Sequence, residues 1–120
     1  MLSSSPSASA VSLPKHSRAA LCTAVAAASL GLPHGAIRGR RKAQRVARAR
    51  QIAIYLAHVG FGLNYTHLGH TFGRDRTTIR HACARVENAR DQTGFDRALE
   101  LLQGALCLHA DRIVSAGERP

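Results

Sequence analysis

An all-α fold is predicted by three features of the sequence. Apolar residues recur at helical spacing from residue 44 to residue 114, no stretch alternates apolar and polar residues as a strand does, and Gly or Pro punctuates the boundaries. With 120 residues, 45% of them apolar, the chain has material for one small core and is too short for a two-domain enzyme. The expected architecture is a small helical domain of about five helices behind a disordered N-terminal tail.

Residues 1–17 are rich in Ser, Ala and Pro, lack periodic apolar positions, and are expected to form that tail. Residues 18–32 (RAALCTAVAAASLGL) open a helical domain expected to run to 116; they are Ala-rich, favour helix, and are stopped by Gly31 and Pro33. Lys15 and Arg18 ahead of an apolar stretch have the outline of a secretory signal, and an acid-free, Ser-rich start that of a transit peptide. The stretch is only weakly apolar and short of the ~20 residues that span a bilayer. A first helix packed on the domain is the preferred reading.

A basic loop is expected over 38–43, where Gly39 interrupts Arg38, Arg40, Arg41 and Lys42. A buried helix follows over 44–59: Val46, Ala49, Ala53, Leu56 and Ala57 mark one face, and Ile52, Tyr55 and Val59 widen it until Gly60 and Gly62. A helix-turn-helix is expected over 64–91. Asn64 caps a short helix with Tyr65, Leu68 and Phe72 on its stripe, Gly73 ends it, and Asp75 caps a second helix anchored by Ile79, Ala82, Cys83, Val86 and Ala89. After Thr93-Gly94, a last helix over 95–114 turns Phe95, Ala98, Leu99, Leu102, Leu106, Ala110 and Ile113 inward.

Charge narrows the classes of partner. The net charge is +10, fifteen of the seventeen bases are Arg, and no acid precedes Asp75. A one-sided positive field of this kind draws polyanions, so nucleic acid is the first candidate partner. With no Trp and only five aromatic rings, single-strand stacking platforms are not expected. The basic run lacks the large apolar residues of an interfacial helix, so no membrane partner is expected. The second helix of the pair can lie in the major groove of double-stranded DNA and present its N-terminus to base edges. Arg76 suits guanine, Asp75 a cytosine amino group, and Thr77 and Thr78 a thymine methyl, with Arg80 on the same polar face. Arg74, Arg45, Arg48, Arg50 and His81 are candidate phosphate contacts, and the loop bases Arg40, Arg41 and Lys42 candidates for the minor groove.

The stretch from about Arg38 to Val86 resembles the C-terminal DNA-binding domain of the bacterial replication initiator DnaA. The likeness rests on VARARQIAIYLA after a basic loop, then LGHTFG, then RDRTTIRHACARV. It implies a fold like DnaA domain IV, a relative of the Trp-repressor helix-turn-helix. It further implies base contacts for Asp75, Arg76, Thr77 and Thr78, backbone contacts for Arg74 and Arg50, and minor-groove entry for Arg41 or Lys42. The family has His where this chain has Arg76, so a different preferred box is expected. No GxxxxGK[ST] phosphate loop occurs in the 120 residues, so no nucleotide motor is expected in this segment.

The expected function is therefore sequence-specific DNA binding by a bacterial transcriptional regulator. The alternatives are modulation of replication initiation at initiator boxes, or docking on RNA polymerase or replication proteins. Leu101, Cys107, Leu108 and Val114 add apolar surface to the last helix, enough for a homodimer seam or a docking face unless the Ala-rich helix covers it. No enzyme is expected, because neither paired carboxylates nor an oriented nucleophile and base can be assembled from these acids and histidines. Scattered Cys22, Cys83 and Cys107 form no ligand pair or disulfide framework. No metal or other cofactor is expected, and a reducing compartment fits: the cytoplasm, at the nucleoid.

Overall fold

The computed structural model describes residues 14–32 and 44–117, which contain helices and turns and no strand. The elements are α1 (Lys15–Ser29), α2 (Gln44–Tyr55) passing into one π-helical turn (Leu56–Gly60), α3 (Tyr65–Phe72), α4 (Arg76–Ala89) and α5 (Thr93–Gly117). The basic loop, with Arg40, Arg41 and Lys42, lies outside the described residues, as does most of the tail.

The first helix starts at Lys15, three residues before the expected Arg18. Pro14 is the reason: its extended backbone at φ −57° and ψ 150° makes the entry, and its carbonyl accepts the Arg18 N–H at 3.0 Å. At the other end Gly31 turns left-handed at φ 67°, and the Leu32 N–H returns to the Ala27 carbonyl at 2.8 Å. Between these ends Ala19, Cys22, Ala26 and Ala27 are buried against the core; small side chains let α1 lie close to α2. Thr23 is buried too, and its hydroxyl donates to the Ala19 carbonyl at 2.9 Å, so no polar group is stranded.

Helix α2 is the centre of the core. Val46, Ala49, Ile52, Ala53, Ile54, Tyr55, Leu56 and Ala57 are all buried, consistent with the all-round apolar pattern. The expected α-helix to Val59 instead widens into the π turn after Tyr55. Its exit is fixed by the Leu63 N–H on the Ala57 carbonyl at 3.1 Å and by a 2.7 Å hydrogen bond between His58 Nδ1 and the Leu63 carbonyl. That exit drops Phe61 and Leu63 into the core, both nearly inaccessible.

Helix α5 departs further from expectation. Leu99, Leu106 and Ala110 are buried, but Phe95 and Leu102 are only partly so, and Ala98 is exposed. A polar clasp compensates for this thin apolar seam. Arg90, just past α4, donates to the Tyr55 hydroxyl at 2.8 Å, pairs through Nε with Asp96, and reaches Glu100 at 3.7 Å; the Tyr55 hydroxyl donates to Glu87 at 2.8 Å. The Asp96 carboxylate holds the Arg90 guanidinium well above its ordinary pKa. Three helices thus meet at one side chain. Replacing it by Ala (Arg90→Ala) should cost about 1–3 kcal/mol by removing its hydrogen bonds to Tyr55 and Asp96. Urea unfolding measures this, and an unchanged midpoint would show the clasp to be idle.

Candidate nucleic-acid interface

Helices α3 and α4 are joined by a turn of three residues, and local chemistry builds each end of it. Asn64 Oδ1 accepts the His67 N–H at 2.8 Å to start α3. Gly73 takes the left-handed conformation at φ 66° to end it, and the Arg74 N–H bonds back to the Gly69 carbonyl at 3.0 Å. Asp75 Oδ1 then accepts the Thr78 N–H at 2.8 Å and starts α4. That bond, reinforced by the Thr78 hydroxyl, the Thr77 N–H and the charge of His81, holds the Asp75 carboxyl below its usual pKa. It is a carboxylate at neutral pH.

Behind this tip, Ile79, Ala82, Cys83 and Val86 are buried and fix the helix to the core. Ahead of it Asp75, Arg76, Thr77, Thr78, Arg80 and His81 are all exposed. Arg74 is half-buried and donates to the Phe72 carbonyl at 2.6 Å, which sets its guanidinium beside the turn.

Between α2 and α4 runs an open cleft of about 400 Å³ lined by Arg50, Gln51, Arg74, Thr78, His81 and Arg85 among others. Arg50 is only 9% exposed. Burial, and then the nearby Arg74 charge, lower its pKa. The cleft therefore gathers guanidinium, hydroxyl, imidazole and amide donors, the groups that can hydrogen-bond an oxyanion.

The structure brings Arg50, Arg74, Thr78 and His81 together, and it separates Arg45 and Arg48 from them. The Arg45 guanidinium donates to the Leu30 carbonyl at 2.9 Å and closes the C-terminal end of α1. Arg48 stands over the Phe95 ring at 5.4 Å, turned toward α5. Two residues along a helix is about 200° of rotation, so Arg48 and Arg50 cannot share a cleft. Arg45 and Arg48 thus face other surfaces than the cleft. Gln51 and Arg85 escaped the sequence reading; Arg85 lies one turn beyond His81, a spacing that would have found it.

An exposed polar tip on a second helix, set by a tight turn against a first, defines a helix-turn-helix protein. Residues 19–86 match the family described as bacterial dnaA protein helix-turn-helix, and the chain belongs to that family. It is 44% identical over 68 residues to the chromosomal replication initiator protein DnaA of Gluconobacter oxydans, covering 55% of this chain and 14% of that protein. Similarity to the DnaA of Mycobacteroides abscessus is 42% over 67 residues, covering 54% and 14%, and to that of a Thermoanaerobacter species 39% over 51 residues, covering 42% and 12%. The chain thus spans about a seventh of these relatives, or 14% at most. The family match includes most of α1, where the sequence favours a first helix packed on the domain over a targeting segment.

One glycine sets the angle of the pair. A Cβ at Gly69 would lie 2.7 Å from the Arg74 carbonyl oxygen, whereas one at Gly104 on α5 would meet nothing within 4 Å. Gly69→Ala should destabilise the fold by about 1–3 kcal/mol and shift the amide resonances of Thr77 and Thr78. The matched control Gly104→Ala should stabilise it by about 0.5–1 kcal/mol. Equal melting of the two variants would remove the close approach as a constraint.

Proposed function

We propose that this domain binds duplex DNA sequence-specifically, with the N-terminus of α4 in the major groove. The observation that supports this most is the union of an exposed Asp75–Thr78 tip with the Arg50–Arg74 cleft beside it. Phosphates seated in the cleft on Arg50, Arg74, Gln51, Thr78, His81 and Arg85 fix the register, and base edges are read by Asp75, Arg76, Thr77 and Arg80. Asp75 reads with the oxygen that does not cap the helix. Arg40, Arg41 and Lys42 enter the minor groove. Similarity to replication initiators supports the DNA partner. A role in transcription, or as a modulator of replication initiation at the same boxes, follows if the selected site lies in promoters or origins. Localisation at the cytoplasmic nucleoid belongs to the same reading.

Selection of bound duplexes from a random pool should return a short motif, and with Arg76 as reader that motif should carry a guanine at one position. Arg76→Ala should then cost about 1–3 kcal/mol on the selected site and relax that position alone. Arg85→Ala should weaken specific and random duplexes alike. With about six phosphates contacted, log K should fall with log salt at a slope near −5. Equal loss on both duplexes for Arg76→Ala, or a flat salt response, contradicts the reading.

A second reading rests on α5, where Leu101 is 75% and Leu108 63% exposed. Such leucines suit a protein contact, either a second copy of the chain or a component of the polymerase or replication machinery. Light scattering across concentration separates self-association from monomer.

A further inference from the structure

A second concentration of positive charge lies away from the cleft, where the first turn of α1 meets α3. Lys15 and His16 are exposed there, and α1 has no acidic residue in its first turn and no side-chain cap at Pro14. Its helix dipole therefore adds to the charge of Lys15, with no acid in that first turn to offset it. The Arg18 guanidinium donates to the Phe61 carbonyl at 2.9 Å, pinning this end of α1 to the turn that leads into α3. Across the junction, burial and then the charges of Lys15, Arg18 and His70 hold the His67 imidazole below its ordinary pKa. Lys15, Arg18 and His70 are thus the charged neighbours that bear on His67, and no acid occurs in the sequence before Asp75.

This patch joins the site already described. His70 is exposed on α3 and also lines a shallow depression of about 420 Å³ with Thr66, Arg74, Asp75 and Arg76. Basic side chains thus continue from Arg74 and Arg76 over His70 on α3 toward Lys15 at the start of α1, with Asp75 the one acid lining the depression. In helix-turn-helix docking the first helix of the pair crosses the sugar-phosphate backbone. On that docking the exposed side of α3 meets the phosphates bordering the groove, with exposed Lys15 on the α1 end packed beside it.

Resting on the reading of α4 as the duplex reader, we infer that Lys15 and His70, backed by Arg18, form a phosphate-binding flank that grips the duplex outside the base pairs α4 reads. The contact carries no sequence information; it lengthens the footprint and adds affinity.

Duplex length tests this. Anisotropy titrations compare a duplex trimmed to the selected box with duplexes extended by about five base pairs, roughly half a turn, on one side or the other. Wild-type protein should bind one extended duplex about three- to tenfold more tightly, with a salt slope steeper by about 1–2. The variant Lys15→Gln, which keeps the stem and removes the charge, should bring the two lengths to nearly equal affinity at unchanged thermal stability. Equal wild-type binding to both lengths, or a Lys15→Gln protein that keeps the gain, overturns the inference while leaving the α4 reading intact. Failure to prefer any box overturns both. Lys15-dependent binding to phosphatidylserine vesicles without a length effect assigns the patch to a membrane surface and overturns the flank.

Discussion

Between Gly69 and the Arg74 carbonyl there is no room for a methyl group, since a Cβ at residue 69 would fall 2.7 Å from that oxygen. Everything outward of the core follows from this approach. Because the chain passes so close over α3, Gly73 must turn left-handed at φ 66° and Arg74 must point its N–H back to Gly69. Asp75 then falls where its carboxylate caps α4. Each step uses a local hydrogen bond that the previous one makes available. The tip of α4 inherits its direction from a contact between backbone atoms, which are far stiffer than side chains.

Electrostatics works against stability in the same region. Arg50 is almost wholly buried beside Arg74, and its depressed pKa records that burial and the neighbouring charge oppose its ionised form. A guanidinium stays charged regardless, so Arg50 keeps its charge at the cleft. At the opposite end of α4 the charges are matched: Arg90 meets Asp96, Glu100 and the Tyr55 hydroxyl. One end of the helix is tied down by ion pairs, and the other presents exposed Asp75, Arg76, Thr77 and Arg80.

Much of this was legible in the sequence because it is local. Asn64, Gly73 and Asp75 act within four residues of themselves, and residue type at those positions is nearly sufficient to place the caps. The buried stripe of α4 was legible for the same reason, since Ile79, Ala82, Cys83 and Val86 obey a single period. Three things were not legible. The π turn after Tyr55 depends on where Phe61 and Leu63 find space in the core, which is decided by tertiary packing. The seam under α5 looked continuous in the pattern, yet Ala98 is exposed and the helix leans on Arg90 instead. Arg45, Arg48 and Arg50 look alike as letters but leave α2 in three directions, toward Leu30, toward Phe95 and into the cleft.

The side chains of Arg76, Thr77 and Arg80 stand in solvent, and the core beneath them is completed by Ile79 and its buried neighbours. Exchanging those three letters therefore removes no packing and strands no buried partner. A lineage carrying this scaffold is free to change the outer face of α4 one position at a time while its melting temperature stays put, much as a door is repainted without touching its frame.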